Sequence, residues 1–158
     1  PLRPGVERLL QAARKAGLRL AIVTTTTPDN VTALLEHSFS VPATDWFEVI
    51  AAGGVVPKKK PAPDLYNYAL EQMNLSPDSC IAIEDSLNGL QSAAAAGVAS
   101  LITVNPYTAQ QDFKGALAVL DQLGDPGQSC RLLAGDSAPG EMVDVAYLQR
   151  LHQRFVAA

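Results

Sequence analysis

Residues 80–89 read Cys80-Ile81-Ala82-Ile83-Glu84-Asp85-Ser86-Leu87-Asn88-Gly89. A short apolar run ends in two carboxylates and passes into a helix of small residues, Leu87 to Ala96, which Gly97 stops. Apolar runs of this length before a polar cluster read as buried strands. The same grammar occurs upstream. Leu18-Arg19-Leu20-Ala21-Ile22-Val23 ends in Thr24-Thr25-Thr26-Thr27, and Pro28 with Asp29 and Asn30 opens a helix from Val31 to His37. Pro is tolerated in a first helical turn.

Working outward, Val6, Leu9, Leu10 and Ala13 fall at helical spacing, so Val6 to Ala16 is predicted as a helix ended by Gly17. Phe47 to Ala51 reads as a strand. Pro57-Lys58-Lys59-Lys60-Pro61-Ala62-Pro63-Asp64 is a stiff basic loop leading into a helix that reaches Met73. Leu101 to Val104 and Ala118 to Leu120 read as further strands. Helix and strand alternate, which predicts an α/β fold: a parallel sheet with helices on both faces. Right-handed crossovers then bring the C-terminal ends of the strands to one edge, where such sheets bind ligands. The threonines, Lys60 and Glu84-Asp85 all fall at that edge.

The chain has 158 residues, 47% hydrophobic and 18% charged, with a net charge of −4. The length suits one domain. The acidic balance argues against a nucleic-acid footprint. No apolar stretch is long enough to span a membrane. Cys80 and Cys130 are the only cysteines, too few for a disulfide framework or a Cys-based zinc site. Gly124 to Gly140 mixes Gly, Pro, Ser and Asp like a linker, and Val143 to Val156 shows helical spacing.

Each polar cluster admits two readings. Threonine hydroxyls and backbone N–H groups at a helix start form an anion site; alternatively Thr26 or Thr27 caps the helix. A lysine of the 58–60 run neutralises a phosphate as a point charge, or the whole run is a solvated surface. Glu84 and Asp85 are hard oxygen ligands suited to Mg²⁺, or Asp85 or Ser86 is a helix N-cap. Taken together at successive strand ends, they are the parts of a Mg²⁺-assisted phosphoryl-transfer site.

These motifs make the sequence recognisable. It resembles the haloacid dehalogenase-like (HAD) hydrolases, in the branch of CbbY-like phosphatases and β-phosphoglucomutase. The likeness is carried by Leu2-Arg3-Pro4-Gly5-Val6, by Leu20 to Thr26, by Lys60-Pro61-Ala62-Pro63-Asp64, and by Ile83-Glu84-Asp85-Ser86 with Asn88-Gly89 and Ala96-Gly97. It implies a three-layer Rossmann-like HAD core over residues 1–123; the tail lies outside the likeness and reads by composition and spacing as a linker at 124–140 and a C-terminal helix at 141–158. It implies that Thr24 binds the transferring phosphoryl group, with Thr25 and Thr26 in the same loop. Lys60 would neutralise nucleophile and phosphoryl oxygens, Asp85 would bind Mg²⁺, Glu84 would lie in its first or second shell, and Asn88 would lie near the site. Lys58 and Lys59 match nothing in the family motif and are assigned to solvent. The implied substrate is a small phosphorylated sugar or other small phosphate ester, with neither nucleic acid nor membrane as partner. The compartment expected, because no export signal is visible in the sequence, is the cytoplasm or a plastid stroma.

The family's nucleophile lies in an Asp-X-Asp-Gly-Thr motif after the first strand, followed by a helical cap. No Asp-X-Asp occurs in this sequence, and Pro1 to Val6 resembles the point where the chain returns from the cap. The expectation is therefore the C-terminal core part of a longer protein, its sheet incomplete at the N-terminal strand. The neighbours of that strand would have bare edges that invite a complementing segment or an oligomer. Such a chain alone, lacking the aspartate that forms the aspartyl-phosphate, is expected to be inactive. Two other readings remain open here: a non-catalytic module using 143–156 as a contact helix, and a phosphomutase.

Overall fold

The computed structural model describes all residues from Pro1 to Ala158. Its helices are α1 (Val6–Lys15), α2 (Pro28–His37), α3 (Asp64–Met73), α4 (Leu87–Ala95) and α5 (Val145–Ala157). Its strands are β1 (Ala21–Val23), β2 (Val49–Ala51), β3 (Ile81–Glu84), β4 (Ala99–Thr103), β5 (Ala118–Leu120) and β6 (Leu132–Ala134). The predicted α/β alternation is present. β1 and β2 are shorter than the apolar runs that predict them, since Leu18 to Leu20 and Phe47-Glu48 lead into them without joining, whereas β4 begins two residues before the predicted Leu101 and ends at Thr103.

Period-2 alternation sorts the side chains into three layers. In β1, Ile22 packs with Val31 and Leu35 of α2, whereas Val23 turns to Leu65 and Ala69 of α3. Ile102 and Val119 meet Leu90 of α4. On the opposite face Leu101, Ala118 and Leu120 join Leu9 of α1 and Tyr147, Leu148 and Leu151 of α5. Helices α1, α2 and α5 thus cover one face, and α3 and α4 the other.

The sheet is in two pieces. β1 pairs only with β2, in parallel, and β3-β4-β5-β6 form a second sheet, parallel except for β6. β1 and β3 face each other unpaired, the gap expected where a central strand is missing. Burial follows the break. Every residue of β4 is buried, whereas β1 is only half-buried and Ile83 of β3 is 41% exposed. Leu20 O accepts from Glu48 N and Thr24 N donates to Ala51 O. Peptide groups alternate sides along a strand, so those of Ala21 and Val23 face the gap.

The stretch 124–140, expected to be a linker, carries β6, paired antiparallel with β5. Its flanks are also tied to the core: Cys130 N donates to Glu141 O and Val143 N to Leu123 O, each at 2.8 Å. Asp144 caps α5 by accepting from Tyr147 N. At the start of the chain, Arg3 donates to the Val104 and Asp121 carbonyls, each at 2.7 Å, and so satisfies chain leaving β4 and β5.

Candidate active site at the carboxyl edge

Local rules place each group. After β1, Thr27 caps α2, its hydroxyl accepting from Asn30 N at 3.3 Å. That leaves Thr24, Thr25 and Thr26 to form the loop itself. Thr24 Oγ1 accepts from Thr26 N at 3.2 Å, and Thr26 Oγ1 accepts from Asn30 Nδ2 at 3.1 Å. Thr25 is exposed. Its carbonyl lies against Gly53, where a Cβ would come within 2.3 Å, so only glycine permits that approach.

After β3, Ser86 is the helix N-cap, accepting from Gly89 N at 3.1 Å. Asp85 is thereby released from capping and stands exposed. Glu84 points the other way and is buried. A Cβ on Gly89 would lie 2.1 Å from Glu84 Oε2, so the carboxylate occupies the space a side chain at 89 would need.

Lys60 joins the two pieces of the sheet. Its Nζ donates to Val23 O, at the end of β1, at 2.9 Å and to Glu84 Oε1, at the end of β3, at 2.5 Å. The side chains of Lys60 and Glu84 are only 10% and 8% exposed. Burying such a pair is costly unless further hydrogen bonds support it. Tyr66 of α3 supplies one, its hydroxyl donating to Glu84 Oε1 at 2.5 Å, with Lys60 Nζ 5.3 Å from its ring centroid. Burial, then the charge and hydrogen bond of Glu84, raise the Tyr66 hydroxyl far above the ordinary tyrosine range. Tyr66 is therefore a fixed donor that keeps its proton. The Lys60 ammonium has three N–H groups; two are engaged, leaving one for a ligand.

Of the residues singled out from sequence, Lys60 and Glu84 are in direct contact, beside the Thr24–Thr26 loop through Val23. Asp85 sits one residue beyond. Asn88 is exposed on the first turn of α4, and its side chain bonds none of the others. Sequence reasoning did not single out Tyr66, whose partner lies 18 residues away. It also missed Asn105 and Gln111 in the loop after β4. Asn105 Oδ1 accepts from Tyr107 N and Thr108 N, which directs its amide nitrogen toward Asp85 Oδ2 at 3.5 Å. Gln111 Oε1 accepts from Leu87 N at 2.9 Å. That loop therefore braces both sides of the Asp85-Ser86 turn.

Mg²⁺ demands near-octahedral oxygen coordination. Here one turn offers two carboxylates, Glu84 is already engaged by Lys60 and Tyr66, and no group of three or more acidic, His or Cys side chains is clustered to hold an ion. The residues of this chain do not by themselves fit a Mg²⁺ centre.

The family model for haloacid dehalogenase-like hydrolases matches residues 1–97. The chain belongs to this hydrolase family. It is 49% identical to the plasmid-borne protein CbbY of Cupriavidus necator over 131 residues, 81% of this chain and 50% of that protein. It is 37% identical to a CBBY-like protein of Arabidopsis thaliana over 158 residues, covering 99% of this chain and 46% of that one. The fold matches a crystal structure of a CbbY variant from Rhodobacter sphaeroides in complex with xylulose-(1,5)-bisphosphate. The TM-score is 0.74 at 45% identity, over 77% of this chain and 54% of that one. The HAD chain described here thus falls in the CbbY-like branch, and it spans about half the length of the curated relatives it matches. No helix in it is long and apolar enough to cross a membrane.

Proposed function

We propose that this chain is the phosphate-handling half of a phosphatase acting on a small phosphorylated sugar. The observation that carries the reading is Lys60, held at the carboxyl edge by Val23 O and Glu84 with one N–H to spare, beside a loop of threonine hydroxyls. A fixed ammonium and oriented donors stabilise negative charge that grows on phosphoryl oxygens. Thr24, Thr25 and Thr26 bind the phosphoryl group, and Lys60 neutralises it. Asn88, at the same edge, contacts substrate. The relative in complex with xylulose-(1,5)-bisphosphate supports a sugar phosphate as the class of substrate.

The attacking carboxylate is not among these residues. It arrives on a strand that adds in parallel to the gap between β1 and β3, pairing with the peptide groups of Ala21 and Val23, from the same polypeptide or from another. With oxygen donors brought by that segment, Asp85 would hold Mg²⁺, which would supply positive charge to the phosphoryl oxygens, and Glu84, engaged by Lys60 and Tyr66, would lie beside it. The chain alone is inactive. The cytoplasm or a plastid stroma is the compartment in which such a substrate is met.

Phosphate release from a panel of sugar mono- and bisphosphates tests the reading, with Mg²⁺ or with a chelator, on the full-length protein and on residues 1–158 alone. Mg²⁺-dependent release by the full-length protein only is expected. Release by the 1–158 chain would refute the complementing strand, and no release by either would refute the phosphatase.

A further inference from the structure

Tyr66 sits on α3 at 7% exposure, packed with Ala82, Ala93 and Val98. That packing uses only the ring, and a phenylalanine would fill it without burying a polar group. The hydroxyl makes a different contact, donating to Glu84 Oε1 at 2.5 Å. Lys60 Nζ donates to the same oxygen at the same distance. A carboxylate oxygen has about two acceptor positions, so Tyr66 takes one and confines the ammonium to the other. The second carboxylate oxygen is no substitute: Oε2 lies against Gly89, where even a Cβ would come within 2.1 Å. Lys60 is also tied to Val23 O at 2.9 Å. Two of its N–H groups thus have fixed directions, and a tetrahedral ammonium leaves the third only one.

We propose that Tyr66 is a positioning residue for phosphoryl transfer: by filling one side of Glu84 Oε1, its hydroxyl fixes the direction of the spare Lys60 N–H. This rests on the phosphatase reading above and gives α3 a part in it. Tyr66 acts only through Glu84 and Lys60. Without the hydroxyl, both acceptor positions of Oε1 open to Lys60. The ammonium then settles between them, and its third N–H turns away from the oxygen it serves. Preorganised donors are effective because they need no reorientation while charge develops. A donor that must first turn loses that advantage, and the loss falls on the transition state, where the phosphoryl oxygens carry most charge.

Tyr66→Phe in the full-length protein keeps the ring and deletes the hydroxyl. Xylulose 1,5-bisphosphate is the probe and phosphate release the readout. Both kcat and kcat/KM should fall by about 10- to 100-fold, since removing a donor outright costs about 10²–10³-fold and misplacing a group by about 1 Å costs about 10²-fold. KM should stay nearly constant, because an equal fall in the two constants marks an interaction made only in the transition state. Leu70→Ala weakens the same packing cluster without touching Glu84. Assayed well below its Tm, it should keep the wild-type kcat. A purely structural Tyr66 would lower Tm in both variants and kcat in neither. An unchanged kcat in Tyr66→Phe, a loss carried by KM alone, or an equal fall in Leu70→Ala overturns the inference while the phosphatase stands. A wild-type protein that releases no phosphate overturns both.

Discussion

Replacing Lys60 by Met removes the ammonium and keeps an unbranched stem over the Tyr66 ring. Both partners of the Lys60–Glu84 pair are nearly enclosed, at 10% and 8% exposure, so water screens their attraction poorly. Without Lys60, Glu84 keeps only the Tyr66 hydroxyl. Breaking one side of a buried pair costs about 3–5 kcal/mol, because the remaining charge is left uncompensated. For a domain of this size that lowers Tm by about 6–20 °C, taking roughly 2–4 °C per kcal/mol. The sharper expectation concerns the second mutation. Glu84→Gln should destabilise the wild type, yet stabilise Lys60→Met by about 1–3 kcal/mol, since it removes the orphaned charge. Urea unfolding of the four members of the cycle measures both effects. Strict additivity, or a Lys60→Met cost below about 1 kcal/mol as for an exposed pair, would refute the reasoning.

Gly89→Ala should destabilise by about 1–3 kcal/mol through overpacking, although helix propensity alone favours alanine by about 1 kcal/mol. The Cβ would lie 2.1 Å from Glu84 Oε2, and a raised Tm would sink this account. Tyr66 holds its proton above the ordinary value of 10.0 when folded. Unfolding at higher pH therefore releases a proton, and stability should fall as pH rises past 10. Tyr66→Phe should flatten that fall, read from urea midpoints across the alkaline range; an identical slope would argue against it. Ser86→Ala removes the cap of α4 and should cost about 1 kcal/mol, with faster amide exchange at Gly89 as the local sign.

The alternation of helices and strands was legible because it depends on neighbours in sequence. Ile22 and Val23 turn to opposite faces as a period of two requires. Caps were legible only as pairs of choices. Thr26 or Thr27, and Asp85 or Ser86, are equivalent by residue type, and backbone geometry chose Thr27 and Ser86. Lys60, Glu84 and Asp85 stood out through their spacing and family motif. Tyr66 did not, because it shares the apolar stripe of α3 and reads as core until the fold brings Glu84 to its hydroxyl. Asn105 and Gln111 reach their partners across 20 and 24 residues, which no local pattern encodes. β6 was invisible for another reason: a three-residue strand amid Gly, Pro and Ser carries too few side chains to show a period.

The tie that Lys60 makes across the broken sheet behaves as a clasp with a counting rule. Its ammonium can serve three acceptors at once, and Val23 O and Glu84 already take two. A guest offering one oxygen fills the last position and leaves the clasp shut. A guest demanding two must displace Val23 O or Glu84 from the ammonium, so greedy binding would be felt at the end of β1 or of β3.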